Sequence, residues 1–145
     1  MKQRISVEDL QQLTEEQKER LREWWKPQEG DWFFGTHGGG RNHQYCGPEQ
    51  YVWILSPYQV DSGVYGASLE ESPPDEGALP LLSIGQLIEL LDEKDCGRWE
   101  MRCSKAKCWH IASNNLYEPD FVVTDNGHDF DELIDALWEA VKQVL

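Results

Sequence analysis

The sequence predicts an α+β domain: an antiparallel sheet of about four to five strands packed with an N-terminal helical segment, a short middle helix and a C-terminal helix. Three observations carry that expectation. Apolar residues recur at helical spacing near both ends and once in the middle. Short runs rich in Val, Ile, Trp, Phe and Tyr lie between these segments, and Gly, Pro, Asn and Asp cluster between the runs. A chain of 145 residues is the usual size of one domain and buries a core without needing disulfides or metal, so residues 1–145 read as a single acidic domain.

In chain order, Ser6-Val-Glu-Asp9 and Thr14-Glu-Glu-Gln17 both start helices, because a hydroxyl caps an orphan amide while an acid or amide three residues on caps back. Two consecutive helices, or one kinked one, therefore run to about Lys26. Leu10, Leu13, Leu21, Trp24 and Trp25 form their buried stripe, Gln17 interrupts it, and Pro27 ends the run. Asp31–Phe34 and Tyr51–Leu55 read as the strands of a hairpin with a long Gly/His-rich loop at 35–48. Residues 56–80 carry Ser-Pro, Asp-Ser-Gly and Pro-Pro turn chemistry and read as an irregular surface segment. Ser83-Ile-Gly-Gln86 caps a short apolar-faced helix to about Lys94. Residues 98–103 and 107–112 read as a second hairpin, with Trp99, Met101 and Cys103 on one face, and Phe121–Thr124 as a further strand. Asp129-Phe-Asp-Glu132 reads as the cap of the C-terminal helix, whose apolar positions are Phe130, Leu133, Ile134, Leu137, Val141 and Val144.

With 27 acidic and 13 basic residues the net charge is −14, which opposes the counterion release that drives DNA or RNA binding. Direct nucleic-acid binding is not expected; attraction to a basic protein partner is. The N-terminal residues carry no apolar run of a signal peptide, and nowhere are there about 18 consecutive apolar residues. The expected location is the cytoplasm, away from membranes. The four cysteines there read as reduced thiols or metal ligands.

Cys96, Cys103, Cys108 and His110 have the content of a zinc set. Their gaps of six, four and one residues depart from the paired two-to-four spacing of zinc knuckles, so buried or half-exposed thiols are the plainer reading. His37, His43 and Cys46 form a second metal-capable group on a loop whose glycines would let ligands converge. The run His37-Gly-Gly-Gly40 resembles an esterase oxyanion loop, but no G-x-S-x-G nucleophile elbow accompanies it. The same loop lacks the Gly-Lys-Ser/Thr end of a phosphate loop, and there is no H-E-x-x-H. Asp125, Asn126, Asp129 and Asp131 are oxygen-rich, yet Gly127 falls third where a calcium loop requires glycine sixth. No catalytic motif results, and a non-enzyme is expected. Trp24, Trp25, Trp32, Phe33 and Phe34 place five aromatics within eleven residues. They are either the core that joins the first helices to the sheet or a surface for a partner or a base.

Three segments, Trp25-Lys-Pro27 with Gly30-Asp-Trp32, Leu79–Leu91, and Asp131–Val141, resemble a layout of small uncharacterised proteins of phages and prophages of Gram-positive bacteria. That resemblance covers about half the chain. It implies a mobile-element accessory protein and brings no catalytic residues with it. The function it favours is binding of a protein partner, with an anti-defence inhibitor as one form. Sequestration of a small ligand such as a nucleotide, and a zinc-stabilised domain, are the alternatives. Ligand or partner contacts are expected at His37, Arg41, His43, Trp32 and Phe34.

Overall fold

A computed structural model describes residues 2–35, 51–55, 65–67, 74–94, 99–103, 109–113, 122–123 and 130–145. The chain divides into two compact units. One comprises Met1–Ser6 with Leu82–Leu145, the other Val7–Leu81.

The unit of Val7–Leu81 begins with helices α1 (Val7–Gln11) and α2 (Glu15–Trp24). A full capping box starts α2: the Thr14 hydroxyl accepts from the Gln17 amide at 3.2 Å, and the Gln17 side chain accepts from the Thr14 amide at 3.0 Å. The expected stripe is buried at Leu10, Leu13, Leu21 and Trp25, with Trp24 partly buried against the core. Strand β1 (Trp32–Gly35) then pairs antiparallel with β2 (Tyr51–Leu55), Phe33 facing Trp53 in register. The alternating burial of β1 puts Phe33 inside and leaves Trp32 and Phe34 half-buried. A positive φ of 90° at Gly30 turns the chain into β1, and the Gly30 amide donates to the Leu55 carbonyl at 2.7 Å, extending the ladder.

Within the segment expected to be irregular, two short strands occur, β3 (Tyr65–Ala67) and β4 (Leu79–Pro80). The sheet order is β3-β2-β1-β4, with β3 parallel to β2 and the other pairs antiparallel. Pro80, which has no amide to donate, sits on the edge strand where that lack is tolerated. Trp25 and Phe33 pack with ring centroids 5.9 Å apart, and Phe33 stacks on Trp53 at 6.4 Å. With Leu55 and Ala78 these rings form one buried cluster. The aromatic concentration at 24–34 is thus largely core.

The other unit contains α3 (Ile84–Lys94), β5 (Trp99–Cys103), β6 (Trp109–Ser113), β7 (Val122–Val123) and α4 (Leu133–Val144). Strands β5, β6 and β7 form an antiparallel sheet in that order, α3 packs on α4, and α4 packs on β6 and β7. The described strands therefore fall in two sheets, of four and three strands, where the sequence predicts one of four to five. The N-terminal residues join this unit: Arg4 bridges Ser83, the Ile5 amide donates to the Leu82 carbonyl at 3.0 Å, and Ile5 is buried. Ser83 and Gln86 cap α3 as expected. Helix α4 buries Ile134, Leu137, Trp138 and Val141 but starts later than its sequence predicts. Phe130 exchanges both backbone hydrogen bonds with Trp109, at 2.6 and 2.9 Å, which holds residue 130 extended beside β6 and delays the helix to Leu133. Glu132 is the N-cap without a side-chain cap; its carboxylate instead accepts from the Lys2 amide at 3.3 Å.

Candidate functional site

Alternation predicts the pairing of β5 with β6, and the register places each side chain. Trp99 faces Ser113, Met101 faces Ile111, and Cys103 faces Trp109; on the other face Glu100 meets Ala112 and Arg102 meets His110. Cross-strand partners share a face. Trp99, Met101, Cys103, Trp109 and Ile111 are therefore on one face, His110 and Arg102 on the other. Cys103 and His110, two of the four residues of the expected zinc set, point to opposite sides of the hairpin. Cys96 and Cys108 lie outside the described residues. Among the described residues no group of three or more His, Cys, Asp and Glu converges. Cys103 is an exposed thiol, and the buried Nε2 of His110 has no hydrogen-bond partner.

Of the residues expected to contact a ligand or partner, His37, Arg41 and His43 lie outside the described residues, as does Cys46. Trp32 and Phe34 are half-buried on β1. The Trp32 carbonyl accepts from the Leu81 amide at 2.8 Å, which commits its backbone to the sheet. Phe34 lines a cleft against α2.

The surface that sequence reasoning did not single out is the Met101 face of β5. Met101 is the large hydrophobic side chain that stands exposed among the described residues, at 39%. Trp99 and Trp109 flank it, each half-buried. β5 is an edge strand, paired on one side with β6 among the described residues. At its start the Trp99 Nε1 donates to Asp92 Oδ1 at 2.7 Å, tying the strand to the last turns of α3, where Asp92 and Glu93 are exposed. Glu100 and Arg102 form an ion pair at 2.8 Å on the opposite face. The only signal in the sequence was methionine at an alternating position between two tryptophans, which reads equally well as core.

No protein-family model matches the chain, and no curated protein and no solved structure is significantly similar to it.

The arrangement offers recognition chemistry. An edge strand presents backbone donors and acceptors to an added strand, and an adaptable thioether between indole rings covers apolar side chains of many shapes. No helix of the described residues is long and apolar enough to cross a membrane.

Proposed function

We propose that this chain is a non-enzymatic accessory protein of a phage or prophage that binds a basic protein partner, and that the partner docks on β5 around Met101. The observation that carries this reading is the exposure of Met101 in the middle of an edge strand, on the face it shares with Trp99 and Trp109. Aromatic and Met side chains are enriched where protein interfaces are buried, whereas a lone exposed edge strand is otherwise a liability. The sign of the partner follows from the net charge of −14, which draws a basic surface in by long-range attraction. A host nucleic-acid-binding protein of a defence system has that chemistry. The phage setting rests on the resemblance carried by Trp25–Pro27 with Gly30–Trp32, Leu79–Leu91 and Asp131–Val141.

The test is affinity capture from a Gram-positive host lysate with the wild-type chain and with Met101→Asp, at low and high salt, read by native mass spectrometry. The expected result is a basic protein retained in fixed stoichiometry at low salt, released at high salt, and lost with Met101→Asp. A partner that Met101→Asp retains equally well, or one indifferent to salt, would overturn the reading.

A further inference from the structure

The chain holds two methionines, Met1 and Met101. Met101 is the middle residue of β5 and is 39% exposed, while Ile111, opposite it in the register, is buried. A thioether has no proton to lose before it reacts, so its oxidation follows access to a sulfur that lies near the end of the side chain. Cys103 stands two residues along on the same face, and its thiol is exposed as well. The charged residues of the strand, Glu100 and Arg102, belong to the other face and pair with each other at 2.8 Å.

A thioether packs against apolar surface, whereas a sulfoxide is polar and carries a strong acceptor oxygen. Two donors of the strand are committed elsewhere: Trp99 Nε1 donates to Asp92 Oδ1 at 2.7 Å, and Arg102 pairs with Glu100 on the other face. On an exposed side chain such as Met101, a sulfoxide oxygen takes its hydrogen bonds from water. An apolar partner surface laid on that face strips the water and leaves the acceptor buried, which weakens docking roughly tenfold to a hundredfold.

We propose that Met101 is a modification site for peroxides, and that its sulfoxide releases the partner docked on β5. The sulfur lone pair attacks one peroxide oxygen and the O–O bond breaks. The transferred oxygen gives its proton to the departing alkoxide or hydroxide, so the thioether is oxidised to the sulfoxide and the peroxide is reduced to an alcohol or water. A dithiol reductase reverses the change: two thiols become a disulfide and the oxygen leaves as water. The release rests on the reading of β5 as the docking strand; the oxidation of Met101 does not. Coupling is reciprocal, so a partner that prefers the thioether also shields it from peroxide. The backbone ladder of β5 with β6 does not involve the sulfur, and modification leaves the fold in place.

The test treats the full chain with hydrogen peroxide in a Cys103→Ser background, which removes the thiol of that face, and follows oxygen uptake by peptide mass mapping. Met101 is expected to oxidise within about tenfold of the rate of N-acetylmethionine amide, with the thermal midpoint moved by less than about 3 °C. A mixture of the two methionine sulfoxide reductases, one for each epimer, should restore the original mass. With peroxide removed, retention of a basic protein from the Gram-positive lysate is compared for the reduced chain, the oxidised chain and a peroxide-treated Met101→Leu chain. The oxidised chain should retain at least about tenfold less, reductase should restore retention, and Met101→Leu should retain the partner with or without peroxide. Oxidation of Met101 more than about tenfold slower than the model compound overturns the modification site. An oxidised chain that still holds the partner within about tenfold of the reduced one, or peroxide release from Met101→Leu, overturns the switch. A reduced chain that retains no basic protein sinks the docking reading and the release with it, while the mapped oxidation and its reversal still decide the site.

Discussion

Gly35 shows how narrowly one position can be defined. A Cβ built there would meet the Ala78 Cα at 3.0 Å and its Cβ at 3.2 Å, while the Gly35 carbonyl accepts the buried Trp53 Nε1 at 3.0 Å. The backbone of residue 78 has no flexible end that could move aside. Gly35→Ala is expected to cost about 1–3 kcal/mol by urea denaturation. Gly77→Ala, whose Cβ would meet only an Asp75 oxygen at 3.8 Å, should stay within about 0.5 kcal/mol. Asp31 is a second such position. One of its oxygens accepts from the Trp25 Nε1 at 2.9 Å and from the Gln28 amide at 3.0 Å, fastening the end of α2 to the turn before β1. Asp31→Ala leaves the part-buried indole donor unmatched, at a cost of about 1–3 kcal/mol in the same assay.

At the scale of elements, α2 rests on its cap more than on its ion pairs. Thr14→Ala removes the hydroxyl of the capping box and should cost about 1 kcal/mol. In the pairs Lys18–Glu15 and Arg22–Glu19 the carboxylates stand in water, so each pair contributes little. The hydrogen bond from Lys18, and then its charge, hold the Glu15 carboxyl below its usual range. A depressed carboxyl stabilises the fold above its ordinary pKa, and that contribution fades as pH falls through the lowered value. The small difference in thermal midpoint between wild type and Glu15→Gln should therefore be present at neutral pH and vanish on acidification below the carboxylate range. Elements with local signals were legible in the sequence: the Thr14 and Ser83 caps, the period of α3 and α4, and the alternation of β5 and β6. What was not legible depends on distant partners. The three residues of β3 sit among turn-forming residues and become a strand only by pairing with β2. Likewise the bridge of Phe130 to Trp109 overrides a good local cap at 129–132. The candidate surfaces divide in the same way. Phe34 was legible as an aromatic, but the residues of α2 that share its cleft come from another element, and the exposure of Met101 on β5 has no local signal.

For the whole molecule, the six N-terminal residues carry weight out of proportion to their number. Ile5 is 3% exposed and donates its amide to Leu82, whereas the Lys2–Asp135 pair is 34% and 45% exposed. Ile5→Ala is expected to cost about 2–5 kcal/mol, while Lys2→Ala should change stability by no more than about 1 kcal/mol, both measured by thermal unfolding of the full chain. The net charge of −14 adds a self-repulsion that salt relieves, so the thermal midpoint should rise with moderate ionic strength.

The pairing of residues 4 and 5 with 82 and 83 also orders events during synthesis. Residues 7–81 can begin folding as they leave the ribosome, but Arg4 and Ile5 must wait for Leu82 and Ser83 to emerge before their backbones have partners. Anything fused directly ahead of Lys2 is carried beside that late-closing bridge.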